Sequence, residues 1–112
     1  MSTQKGQDCI FCRIAAGEVP AEIVYQDKEI VAFRDINPQA PTHLLVIPRE
    51  HIASLNDVTA AHVELLGRLQ LVLRQLAAET GLNDGYRVVT NCGPDGGQTV
   101  AHLHYHLLGG RA

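Results

Sequence analysis

No apolar run in this 112-residue chain approaches the roughly 18 residues that a membrane-spanning helix requires, so no bilayer partner is expected. The first eight residues are polar and lack the apolar segment of a secretory signal. Basic residues are not in excess: 9 Lys and Arg stand against 12 Asp and Glu, and a net charge of -3 offers no cationic stripe for a DNA or RNA backbone. Small anionic ligands are still compatible with it, because a few local donors suffice for one phosphate. The 3 cysteines are an odd number and form no disulfide framework, so a reducing cytoplasm is the expected setting. Internal repeats and low-complexity tracts are also missing.

The length fits one domain. A chain this short buries about two thirds of the surface it exposes when unfolded, which allows one modest core that a second subunit would reinforce.

Punctuation and periodicity divide the chain. Residues 1–7 read as a flexible leader. Residues 9–16 read as a short helix ending at Gly17, with Pro20 fixing the exit. The β-prone runs 23–25 and 30–33 form an expected hairpin. Two prolines hold a loop over 35–41, and residues 43–47 are a third strand stopped by Pro48. A long helix is capped by Asp57 or Thr59 and closed by Gly81. Within it Leu65, Leu66, Leu69, Val72, Leu73 and Leu76 recur at three- and four-residue spacing. Val63 and Leu71 fall off that stripe, which fits either a broad core contact or a homodimer interface; the dimer is favoured. Residues 86–91 are a fourth strand, 93–97 a glycine-rich loop and 101–108 a fifth strand. The fold class is α+β: a five-stranded, mainly antiparallel sheet with one long helix and a short N-terminal helix.

Six histidines in so short a chain carry most of the functional information. His102, His104 and His106 alternate with Leu103, Tyr105 and Leu107, so a strand puts three imidazoles on one face, about 6.6 Å apart. Three readings compete: histidines satisfied within the structure, a metal site built on neutral imidazole, and acid–base or nucleophilic chemistry. The loop just before them supplies glycines and Thr99, suited to holding a phosphate against a nucleophile. His62, in the long helix, reads as a solvated bystander, and Cys92 as an inert small residue.

The stretch Gly96-Gly97-Gln98-Thr99-Val100-Ala101-His102-Leu103-His104-Tyr105-His106-Leu107-Leu108 resembles the signature of the histidine triad (HIT) family. The run from Phe33 to Pro48 resembles the nucleoside-binding segment of that family's Hint branch. The resemblance covers nearly everything from Cys9 onward, and it implies a single HIT domain over 8–112. It further implies a nucleotide-binding hydrolase that cleaves nucleoside 5′-phosphoramidates. His104 would attack the α-phosphorus to give a nucleotidyl-histidine, His106 would protonate the leaving group, His102 would orient the middle ring, and His43 would act as a fourth, relay histidine. Asp35 would take the ribose hydroxyls, with Ile14, Val19, Phe33, Ile36 and Leu45 around the base and Asn91, Gly97 and Thr99 at the phosphate. It implies an AMP-like purine nucleotide as ligand, a homodimer joining two sheets into one, and no cofactor for catalysis. Hint proteins usually continue beyond Gly109-Gly110-Arg111-Ala112 with a tail that shapes specificity, so the leaving-group preference is not carried over.

Cys9-Ile10-Phe11-Cys12 has the spacing of half a zinc site. Some bacterial triad proteins complete it with a histidine after the third strand and the first triad histidine, here His51 and His102. Against this structural zinc stands packing of the two cysteines as small apolar groups. If zinc binds, His102 serves structure. Alternatives to the phosphoramidase are a dinucleoside polyphosphate hydrolase, a non-catalytic nucleotide-binding regulatory module, and a zinc hydrolase with the triad as ligands.

Overall fold

Residues 30–33 alternate between two apolar environments, and that alternation organises the molecule. Ile30 and Ala32 enter one cluster with the long helix, whereas Val31 and Phe33 enter another with Cys9 and Phe11. All four of these residues are therefore buried, as expected where a sheet is covered on both faces. The computed structural model describes residues 9–112, and the leader expected over 1–7 lies outside the described residues.

Helix α1 (Ile10–Ala15) opens the described chain, followed by β1 (Ile23–Gln26), β2 (Ile30–Arg34) and β3 (Thr42–Pro48). Helix α2 (Val63–Glu79), β4 (Tyr86–Val89) and β5 (Tyr105–Gly109) complete it. The five strands lie in the order β1-β2-β3-β5-β4, and every neighbouring pair is antiparallel. This is the α+β sheet expected, with the long helix and the short N-terminal one.

Helix α2 buries Leu65, Leu69, Val72, Leu73, Leu76 and Ala77 against Leu44, Val46, Leu103 and Leu107. Each fully buried Leu or Val contributes about 1.5–3 kcal/mol, so packing rather than propensity holds this helix. Gly81 ends it at φ +76, a conformation that costs a side chain-bearing residue strain. At the other end Thr59 caps a short 3-10 turn, Ala60–His62, which leads into α2, while Asp57 lies in the preceding turn. His62 is not the solvated bystander expected. Its ring accepts from the Thr59 amide in a capping box and pairs with Glu50 at 2.9 Å.

Two strands are shorter than expected. β4 stops at Val89 because Thr90 and Asn91 turn their side chains to other partners, the His104 carbonyl at 2.8 Å and the Gly96 carbonyl at 2.7 Å. β5 begins at Tyr105, not Ala101, so His102 and His104 precede the ladder. Pro48 has no N–H to extend pairing past Val46↔Tyr105, and Leu103 N–H bonds instead to the Ile52 carbonyl. The alternation persists all the same: Leu103, Tyr105 and Leu107 enter the α2 core, and the imidazoles face the α1 side.

Candidate active site

Helix α1 covers only part of its face of the sheet, and a cavity of about 370 Å³ opens beside it. Ile10, Phe11 and Ile14 line it from α1, Val19 to Ala21 from the following loop, and Phe33 and Leu45 from the sheet. Asp35, Ile36 and Thr99 stand around it, and His104 and His106 complete the lining. Mostly apolar walls with a few convergent polar groups are what a small aromatic ligand requires.

The hydrogen bonds assign the protons. His104 Nδ1 lies 2.7 Å from the backbone carbonyl of His102 and can only donate to it, which leaves Nε2 bare. The Gln39 amide donates to His43 Nδ1 at 3.0 Å, so neutral His43 carries its proton on Nε2. That Nε2–H donates to His106 Nδ1 at 2.9 Å and lies 3.4 Å from Asp35 Oδ2. His106 therefore holds its own proton on Nε2. Burial, and after it the neighbouring histidines, push the His106 pKa down, so the ring is neutral near pH 7. Asp35 also accepts from the Asn37 amide at 2.8 Å, which fixes the loop at the cavity rim.

His102 lies elsewhere. It is fully buried, its Nε2–H donates to the Pro48 carbonyl at 2.8 Å, and its Nδ1 faces Cys9 Sγ at 3.2 Å and Cys12 Sγ at 3.5 Å. Cys12 Sγ is 3.3 Å from His51 Nδ1. Donor atoms of Cys9, Cys12, His51 and His102 all lie within 4.8 Å of one another. Two sulfurs and two nitrogens are the donor set of a closed tetrahedral zinc site, and Pro48 gives His102 the outer contact that a metal-bound imidazole uses. The residues fit the metal. Burial, first among the causes, brings the His102 pKa down to about 4, so the ring stays neutral as a ligand must be.

Of the residues singled out for the substrate, Ile14, Val19, Phe33, Asp35, Ile36, Leu45 and Thr99 line the cavity. Asn91 and Gly97 do not. The Gly97 amide donates to the Pro94 carbonyl and the Asn91 side chain to that of Gly96, so both brace the loop internally. The His102 ring is likewise outside the lining; its carbonyl, not its imidazole, touches His104. Ile10 and Phe11 went unnoticed in the sequence, although Ile10 sits four residues before Ile14 on one helix face. Gln98 was also missed: its side chain bonds Gly93 N, Ala53 O and Val100 O, and no local pattern announces such long-range bracing.

A family model described as "Scavenger mRNA decapping enzyme C-term binding" matches residues 8–111. A purine nucleoside phosphoramidase of Escherichia coli K12 is 50% identical over 106 residues, 94% of this chain and 89% of that protein. A solved HIT family hydrolase of Legionella pneumophila superposes with a TM-score of 0.92 at 55% identity, covering 93% of this chain and 94% of the other. The chain belongs to the histidine triad family. It is a Hint-like HIT protein and a hydrolase. A 14 kDa zinc-binding protein of Zea mays is also similar, 51% identical over 104 residues, 91% of this chain and 81% of that protein. Among the described residues of this HIT protein, no helix is long and apolar enough to cross a membrane.

Proposed function

We propose that this HIT hydrolase cleaves nucleoside 5′-phosphoramidates, AMP-like in their nucleotide part, through a nucleotidyl intermediate on His104. The observation that carries the reading is the His104 Nδ1–H bond to the His102 carbonyl, which leaves Nε2 as a free nucleophile on a cavity wall. The base lies among Ile14, Val19, Phe33, Ile36 and Leu45, Asp35 takes the ribose hydroxyls, and Thr99 holds the phosphate, with Asn91 and Gly97 shaping its loop. Nε2 of His104 attacks the α-phosphorus, the P–N bond to the leaving group breaks, and the departing amine takes the proton of His106 Nε2. The bound phosphate anion first draws one extra proton onto the His43–His106 pair, so both rings are neutral after the transfer. Water then cleaves the phosphorus–His104 bond and returns a proton to His106. His43 holds His106 in the required tautomer. The rate rests on positioning and on stabilising charge at the phosphate oxygens.

Zinc held by Cys9, Cys12, His51 and His102 would be structural, tying α1 to the segment that carries His104. The triad does not converge on one ion: His102 joins the cysteines, whereas His106 groups with Asp35 and His43. The protein works as a homodimer in the cytoplasm, a reading supported by exposed Val63 and Leu71 on α2 and by the unpaired edge of β4.

AMP release from adenosine 5′-monophosphoramidate, compared with cleavage of diadenosine polyphosphates, tests the substrate. Faster turnover of the phosphoramidate is expected. Faster polyphosphate cleavage would favour that hydrolase class, and AMP binding without any turnover would favour a regulatory module.

A further inference from the structure

The His43 tautomer is set by one backbone amide, that of Gln39. Gln39 sits in the exposed loop between β2 and β3, where a peptide unit is not held by any ladder. Its ends are closed by the Asp35 amide on the His43 carbonyl at 3.0 Å. Its middle is held from outside the loop: Arg111 Nε donates to the Gln39 carbonyl at 2.9 Å. Gly110 makes that reach feasible. Its backbone is at φ +94 and packs so tightly on Pro41 that an added Cβ would lie 2.9 Å from the proline Cβ. The chain leaving β5 thus presses on the loop at Pro41 and grips it at Gln39.

We propose that Arg111 is a positioning residue for the reaction, holding the 35–41 loop so that the Gln39 amide keeps His43 in its Nε2–H form. The inference rests on the assignment of His106 as proton donor. If Gln39 swings away, His43 Nδ1 loses its donor, and the proton stays on Nε2 only through the longer, 3.4 Å approach of Asp35 Oδ2, a residue of the same loop. A proton on His43 Nδ1 leaves its Nε2 lone pair facing the Nδ1 lone pair of His106, and that clash resolves when His106 moves its proton to Nδ1. The nitrogen meant to protonate the leaving group is then bare. Arg111 touches neither substrate nor catalytic ring, so its loss acts on the chemical step and leaves nucleotide binding alone. The bond goes to a carbonyl from an exposed side chain, and a lysine can supply it.

The test uses Arg111→Ala and Arg111→Lys, with ring nitrogens observed by NMR in histidine-labelled protein alongside phosphoramidate kinetics. The wild type is expected to show His43 and His106 as single Nε2–H tautomers. Arg111→Ala should show mixed tautomers at His43 and a kcat lowered about tenfold, part of what a general acid contributes, with KM nearly unchanged. Arg111→Lys should restore both. A single Nε2–H tautomer at His43 in Arg111→Ala, or a loss that falls on KM, would overturn the proposal. The tautomers are read without turnover, so a wild type inactive on phosphoramidates would sink the proposed function while leaving this test standing.

Discussion

Each histidine of the triad is assigned by what its second nitrogen touches. His104 donates to a carbonyl and keeps a bare Nε2; His102 donates to Pro48 and turns its bare Nδ1 to the two cysteines. One residue type thus offers, two positions apart, a bare Nε2 on the cavity wall and a bare Nδ1 facing two thiols. The buried His102 ring also sets a pH dependence. In metal-free protein its pKa falls from 6.5 to about 4, so between these values the unfolded chain binds a proton that the native ring refuses. Stability is then full above about pH 6.5 and lost as pH falls toward about 4, by on the order of 3 kcal/mol. His106, also pushed down by burial, adds in the same direction. Urea unfolding of metal-stripped protein across this window measures the slope, and loading with zinc should raise the whole curve. A flat profile would contradict the account. These roles were only partly legible in the sequence. The shared face of the three rings followed from alternation, but carbonyl contacts such as His102 to His104 leave no trace in residue types.

At the scale of elements, period decides what shows. The α2 stripe announced itself because its core contacts repeat every three or four residues, and Val63 and Leu71 fell outside it in sequence as in space. Strand ends were less legible: β4 ends where Thr90 bonds the His104 carbonyl and Asn91 that of nearby Gly96, and β5 begins only where Pro48, with no N–H, ceases to be its neighbour. Val63 and Leu71 are 68% and 62% exposed, with Gly67 between them on the same helical face, and β4 leaves one edge of the sheet open. A helix face that apolar, beside an open strand edge, suits a second copy of the chain. Sedimentation velocity should give a dimer for the wild type and a folded monomer for Leu71→Glu combined with Val63→Glu. A monomeric wild type at micromolar concentration would contradict the dimer.

At the scale of the molecule, the two faces of the sheet divide the work. One is consumed by α2 and builds the core; the other, under α1, holds the four-residue Cys/His cluster and the cavity side by side. Residues 102–106 run through both, so the segment anchored by His102 presents His104. This economy explains how a 112-residue chain carries a buried polar site without a second layer of scaffold. The overall plan could be read beforehand because motif and periodicity agreed on it. The split of the triad between two clusters was legible only as one of two alternatives, through the Cys-x-x-Cys spacing and the family resemblance, because it depends on where α1 docks. The most direct measurement is peptide mass analysis of protein mixed with adenosine 5′-monophosphoramidate and quenched in alkaline denaturant. An AMP adduct on His104, absent from His104→Ala along with about a thousandfold or more of the turnover, is the predicted result. An adduct on another residue, or turnover that survives in His104→Ala, would contradict the covalent mechanism.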